Sequence, residues 1–200
     1  MTDNTNSPRE RLEAVRERIE KAARQAGRPP ESIQLLAVSK TRNPSELAAL
    51  ADLGQRRFGE SYLQEAVAKV QALASRELLW HFIGPMQSNK TRPVATHFDW
   101  VHSVDRLKIA RRLSEQRPPE RPALNICLQI NVSGEASKSG IGPKELPALA
   151  AAISELPRLR LRGLMAIPAP SGDLDAQREP FRALRHMFES LNLENHGLDT

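Results

Sequence analysis

Short apolar runs suited to β-strands alternate with amphipathic stretches suited to α-helices along this chain, and that alternation leaves few folds open. The runs, six in all, recur at spacings of roughly 20 to 35 residues, enough for each to be followed by a helix that returns the chain to the same end of a sheet. The expected class is therefore α/β with a parallel sheet. A TIM-type (β/α) barrel is the preferred form, and an open doubly wound sheet is the second. No GxGxxG follows the first strand, which weakens a dinucleotide-binding reading. The 200 residues fit a single domain, 1–200. In either architecture the C-terminal ends of the strands share one face, where ligands bind.

Local signals place the elements. Ser7-Pro8-Arg9-Glu10 is a capping box that opens a helix with Leu12, Val15, Ile19, Ala22 and Ala26 on one face and Gly27 at its stop. Residues 34–40 read as a strand buried on both faces, ending in Lys40. Asn43-Pro44-Ser45-Glu46 caps the next helix, with Leu47 and Leu50 inward and Gly54 at its end. Residues 57–60 form a short strand, and Ser61-Tyr62-Leu63-Gln64 reads as another capping box, with Ser61 as N-cap and Leu63, Val67, Val70 and Ala74 inward. Residues 78–83, 99–102, 124–132 and 161–167 supply the remaining strands, the third of these the longest. Ser103 reads as the cap of a helix that buries Leu107, Ala110 and Leu113, residues 133–140 as a polar loop, and Phe181, Leu184, Phe188 and Leu191 as the face of the last helix. Residues 196–200 look like the lead-in to another strand, so the chain is expected to lack the last two βα units of a full barrel.

Composition narrows the function classes. A formal net charge of +5 raises the question of nucleic acid, but aromatic residues make up only 4%, leaving few platforms on which bases could stack. The densest basic pattern, Arg158-Leu159-Arg160-Leu161-Arg162, alternates and reads as a strand with one solvated face. No nucleic-acid partner is expected. No apolar stretch approaches the ~20 residues of a membrane helix. The first seven residues carry no apolar signal core, so a cytoplasmic protein without a membrane partner is expected. The single cysteine, Cys127, excludes an intrachain disulfide and reads as a buried packing residue. The five histidines show no metal-ligand spacing, and no metal site is expected. Glu60 and Glu65 flank a helix start, where the macrodipole accounts for acidic residues.

Lys40 carries the chemical interest. Lysine is scarce here, 7 of the 29 basic residues. An amine can shed its proton and attack a carbonyl, which a guanidinium effectively cannot. A lysine at a strand terminus, partly buried so that its neutral form is accessible, suits a Schiff base; a snorkelling side chain that merely ends a strand fits the same position. Aldolases and pyridoxal phosphate proteins both use such a lysine, and Lys40 alone does not choose between them.

Longer blocks do. Leu36-Ala37-Val38-Ser39-Lys40-Thr41, Phe58-Gly59-Glu60-Ser61-Tyr62-Leu63-Gln64-Glu65 and Trp80-His81-Phe82-Ile83-Gly84-Pro85-Met86-Gln87-Ser88-Asn89-Lys90 closely resemble signatures of the YggS/PROSC family of pyridoxal phosphate homeostasis proteins, which is related to the N-terminal barrel of alanine racemase. His102-Ser103-Val104-Asp105, residues 131–140 and Arg162-Gly163-Leu164-Met165-Ala166-Ile167 match further blocks in the same order, so the resemblance runs from about Leu12 to Thr200. It implies a barrel that holds pyridoxal 5′-phosphate (PLP) as a Schiff base on Lys40. It also implies a role in binding, delivering or buffering that cofactor inside the cell, without robust catalysis but with room for weak racemase activity. By the same resemblance Val38, Ser61, Ile83, Asn131 and Met165 lie at strand ends that face the cofactor, although each also suits plain packing. PLP-dependent apoenzymes are the implied clients, the polar turn at residues 87–90 is a surface that suits contact with them or a plain solvated helix start, and a monomer is the implied state.

The alternative is a PLP-dependent amino-acid racemase or another Schiff-base enzyme. Proton transfer on both faces of an amino acid needs an acid/base on each side. The one tyrosine, Tyr62, follows the second strand. Two departures from the family stand out. Ser61 stands where asparagine usually follows Phe-Gly-Glu, and the Ser-Met-Gly-Met-Ser and Arg-Ile-Gly blocks, which supply most of the family's phosphate cup, do not occur.

Overall fold

The computed structural model describes residues 7–132, 139–194 and 196–200. Its centre is a sheet in the order β1 (Ala37–Val38), β2 (Arg57–Glu60), β3 (Leu79–Phe82), β4 (Trp100–Val104), β5 (Leu124–Gln129) and β6 (Leu159–Met165). Every neighbouring pair is parallel, as strands joined by helical crossovers require. The helices are α1 (Pro8–Gln25), α2 (Pro44–Asp52), α3 (Leu63–Ala72), α4 (Thr91–His97), α5 (Leu107–Gln116), α6 (Leu146–Ser154) and α7 (Leu174–Leu193). Among these residues no helix is long and apolar enough to cross a membrane.

One face of the sheet is buried under the helices. Phe58, Phe82, Val101, Ile126 and Leu128 from the strands pack there with Leu47, Ala66, Val94, Ile109, Leu113 and Ile153 from the helices. Alternation then turns Gly59, His81, Asn125, Cys127 and Gln129 to the inner face. Cys127 is a free thiol and is buried. At the opposite end from the strand C-termini, the buried Arg117 guanidinium donates to the carbonyls of Ala95 and Phe98 at 2.7 Å each and of Pro122 at 2.8 Å, tying three chain segments together.

Among the described residues β1 and β6 are not hydrogen-bonded to each other, so the sheet has two ends. Residues 199 and 200 extend the β6 end. The Asp199 and Thr200 N–H groups donate to Arg162 O at 2.8 and 3.0 Å, and the Leu164 N–H donates to Thr200 O at 3.2 Å, the exchange that a strand lead-in makes with a parallel neighbour. Gly163 lies beneath this contact, where a Cβ would fall 1.3 Å from Thr200 O.

Some local expectations change. Strand β1 is not buried on both faces: as the end strand it leaves Val38 52% exposed and Lys40 exposed. Ser61 does not cap α3; Tyr62 takes the N-cap position, in an extended conformation and with no side-chain bond. Ser103 is likewise no cap but part of β4. The longest strand is β6, since β5 ends at Gln129 and only an isolated bridge, Ile130 to Ile141, follows. In α1 only Leu12 and Ala23 are buried, while Val15 is exposed. Phe181 is exposed on α7, whose inward contacts come from Leu184, Phe188 and Leu191. The polar loop expected at 133–140 lies mostly outside the described residues.

Candidate functional site

The C-terminal ends of β1, β2 and β3 set three of the expected residues in a row. Val38 pairs with Gly59 and Glu60 with Phe82, which brings the segments that carry Lys40, Ser61 and Ile83 to one rim. Ser39 N–H donates to Gly59 O at 2.9 Å and Ile83 N–H to Glu60 O at 2.8 Å, carrying the pairing past the strand ends. Ser39 and Glu60 share the helix-facing side, where the Ser39 hydroxyl donates to Glu60 Oε1 at 2.6 Å. Alternation therefore gives Val38 the inner face, and Lys40 follows in an exposed turn at the rim. Bare backbone forms part of the floor of that face: a Cβ on Gly59 would come within 3.3 Å of the Ile83 and Leu36 side chains, which close over it.

Ile83 belongs to a second grouping as well. With Pro85, Gln129, Asn131, Ile167 and Pro168 it lines a cleft of about 390 Å³. Asn131 is thereby brought to Ile83, whereas Lys40, Val38 and Ser61 lie outside the cleft lining. Met165 pairs with Gln129 and shares its face, but it does not line the cleft; its carbonyl accepts from Ile130 N–H at 2.8 Å. The strand ends are laced together by backbone. Gly84 lies so close to Ser61 that a Cβ would fall 2.3 Å from Ser61 O, and the buried Ser103 hydroxyl donates to Gly84 O at 2.6 Å.

The backbone on both sides of Lys40 is held from beneath the sheet. Lys69, on α3, is buried; its ammonium donates to Ser39 O at 2.7 Å, to Glu60 Oε1 at 2.8 Å and to Glu65 Oε1. Glu65 Oε1 also accepts from Thr41 N–H at 2.6 Å. Its carboxyl is held below the usual carboxylate range, chiefly by the hydrogen bond from Lys69. Thr41 has φ 65°, a left-handed conformation rare for threonine. Glu60 and Glu65 thus serve a buried cation and not the helix dipole alone. Sequence reasoning missed Lys69, although a signal existed: Glu60 has the same strand parity as Phe58, and a carboxylate on a buried face calls for a buried cation.

Below this rim the inner face is polar and aromatic. His81 stacks on Trp100 with ring centroids 5.3 Å apart, and its Nδ1 lies 2.9 Å from His102 Nε2. The Arg162 guanidinium covers the Trp100 ring at 4.6 Å and is fixed by Asp199 at 2.6 Å and by Asn125 Oδ1 at 2.7 Å. Burial pushes His81 down to about 3, with help from His102 and Arg57, and pushes His102 down to about 4. Both rings are therefore neutral at physiological pH. The site as a whole offers one accessible primary amine on a fixed backbone, an apolar floor and an adjacent cleft.

Comparison with known proteins identifies the family and the fold. Residues 11–198 match the N-terminal domain of alanine racemase. The chain is 59% identical over 191 residues to the pyridoxal phosphate homeostasis protein of Pseudomonas aeruginosa, covering 96% of this chain and 82% of that protein. It is 55% identical over 192 residues to the protein of the same name from Escherichia coli K12, covering 94% and 82%. The structure of PipY from Synechococcus elongatus with PLP bound superposes with a TM-score of 0.75 at 35% identity, covering 90% of this chain and 84% of that one. The PLP-free PipY structure gives 0.79 at 34% identity, covering 90% and 85%. The six-stranded parallel sheet with its helical crossovers is accordingly the α/β class that the alternation leads one to expect and the alanine-racemase type that the family resemblance implies. The chain belongs to the alanine racemase N-terminal domain family and, within it, to the pyridoxal phosphate homeostasis proteins.

Proposed function

We propose that this protein binds PLP, holds it as a Schiff base on Lys40 and takes part in intracellular PLP homeostasis without robust catalysis. The observation that carries the reading is the position of Lys40: an exposed amine at the C-terminal rim, just past the pairing of β1 with β2 and near the segments that carry Ser61 and Ile83. The residues present fit the cofactor. Ile83 and Leu36 over Gly59 offer an apolar surface, and the adjacent cleft of about 390 Å³ falls within the ~300–1,000 Å³ range of small-molecule sites. The PLP-bound PipY structure and the names of the bacterial relatives support the same assignment.

When bound, PLP supplies an aldehyde that condenses reversibly with a primary amine. Lys40 provides that amine, Val38 and Ile83 offer apolar contact beside it, and Ser61, Asn131 and Met165 edge the same rim. The relatives' name, a homeostasis protein, supports a carrier over a racemase. The residues favour the same choice: two-sided proton transfer needs a second base, and the one tyrosine, Tyr62, is 54% exposed at the start of α3. PLP-dependent apoenzymes as recipients, a monomeric state and a cytoplasmic location complete the reading.

The test is to record the visible spectrum of the protein equilibrated with PLP, reduce it with borohydride and map the modified peptide. A pyridoxyl adduct on Lys40 is expected; a colourless protein without that adduct would sink the proposal. Rapid racemisation of alanine would sink its non-catalytic part.

A further inference from the structure

We propose that Lys69 is a positioning residue for Lys40, acting through the backbone on either side of it; this rests on the reading that Lys40 holds the cofactor. Lys69 is buried on the helix side of the sheet while Lys40 stands exposed in the turn that leaves β1, so the buried amine acts on the accessible one through backbone alone. The Lys69 ammonium reaches the residue before Lys40 directly, through Ser39 O at 2.7 Å. It reaches the residue after Lys40 indirectly, through Glu65, whose Oε1 accepts from Thr41 N–H at 2.6 Å. Glu60, with no exposed surface, fixes the ammonium from below at 2.8 Å.

The restraint has a physical purpose. Thr41 sits at φ 65°, which an L-residue with a branched side chain leaves readily unless something holds it. Strand β1 is only Ala37–Val38 and lies at the end of the sheet, so ladder pairing on one side alone does not fix the segment that follows. A buried lysine that grips the chain on both sides of Lys40 lowers the ordering cost that binding would otherwise meet.

The experiment uses the full chain with PLP as the probe. The double variant Lys69→Met with Glu60→Gln removes both buried charges together, which avoids leaving an unpaired carboxylate in the core. Glu65→Ala is the milder cut, because the Glu65 side chain is 33% exposed and its loss spares the core. Glu65→Gln keeps an oxygen for the Thr41 N–H. The readouts are half-saturation by absorbance, the yield of borohydride-fixed pyridoxyl group on the Lys40 peptide, and far-UV circular dichroism. Glu65→Ala is expected to raise half-saturation by about 5- to 10-fold with an unchanged dichroism spectrum, the double variant by at least as much, and Glu65→Gln by less than about 2-fold. Half-saturation unchanged in Glu65→Ala overturns the inference, and so does an equal loss in Glu65→Gln. A wild-type chain that binds PLP but yields no Lys40 adduct overturns the cofactor reading itself, an outcome separate from failure of the positioning role.

Discussion

His81 Nδ1 and His102 Nε2 lie 2.9 Å apart, a spacing that admits one proton between the rings and not two. The other ring nitrogen of His81 is buried without a partner among the described residues. Protonating this pair would place charge on a face already carrying Arg57 and Arg162, and the lowered values near 3 for His81 and 4 for His102 express that cost.

Acid should therefore weaken the fold earlier than carboxylate titration alone would. Both histidines have folded values below the ordinary 6.5, so between about pH 4 and 6.5 the unfolded chain takes up protons that the folded chain does not. Stability is lost as pH falls through that window and is unaffected by these groups above it. At pH 5 the loss is on the order of 1–2 kcal/mol per histidine. Urea unfolding at pH 7.5 and pH 5 measures it; equal midpoints at the two values would contradict the claim.

Lys40→Ala should leave the fold intact. The side chain is exposed and its hydrogen bonds are made by backbone neighbours, so a change within about 0.5 kcal/mol is expected. Borohydride fixation of PLP should disappear in the same variant. Mass spectrometry of the reduced protein decides it, and undiminished labelling would assign the amine elsewhere.

Arg117→Met should be among the most damaging single changes in the chain. Three carbonyls, of Ala95, Phe98 and Pro122, would lose their donor at a site where Arg117 is 2% exposed. Ala95 and Phe98 are buried whereas Pro122 is exposed, so two orphaned acceptors at ~1–3 kcal/mol each predict a loss of roughly 2 kcal/mol or more. The urea midpoint reports it, and a shift worth less than about 1 kcal/mol would show that the loops can re-solvate.

Gly84→Ala tests the lacing of the strand ends. The new methyl would sit 2.3 Å from Ser61 O, which is backbone and cannot swing away. Overpacking of this kind costs typically 1–3 kcal/mol, and here it would push β2 and β3 apart at their C-termini. Chemical denaturation and PLP titration of one preparation should show both stability and affinity reduced.

How much of this could be read in advance depended on how local the physics was. The capping boxes Ser7/Glu10 and Asn43/Glu46 form as their spacing indicates, since each needs only its own turn of helix. The strand at Arg57–Glu60 was legible for the same reason. Ser61 and Gln64 have capping-box spacing too, but Ser61 is packed against Gly84 and α3 starts one residue later with Tyr62 as N-cap; a contact between distant segments leaves no mark in a four-residue motif.

Lys69 shows the limit more sharply. Four residues after Glu65 on a helix, it has the spacing of an ordinary surface ion pair. Only the docking of α3 over β2 converts that pair into a buried network with Glu60 and Ser39. Leu63 and Val70 pack against the core as their spacing indicates, but the fully buried positions of α3 are Ala66 and Lys69, and Ala74 lies exposed beyond its end. Lys40 itself was legible in place but not in exposure, because apolar character alone does not distinguish a central strand from an end strand.

Cys127 turns the inner face into a clock. It is the chain's one thiol, sits 2% exposed on β5, and burial pushes its pKa up to about 12. A thiol reagent in solution therefore waits for the fold around β5 to open before it can react. The rate of Cys127 labelling, followed with and without PLP, would time that opening directly and show whether a ligand held at the rim slows it.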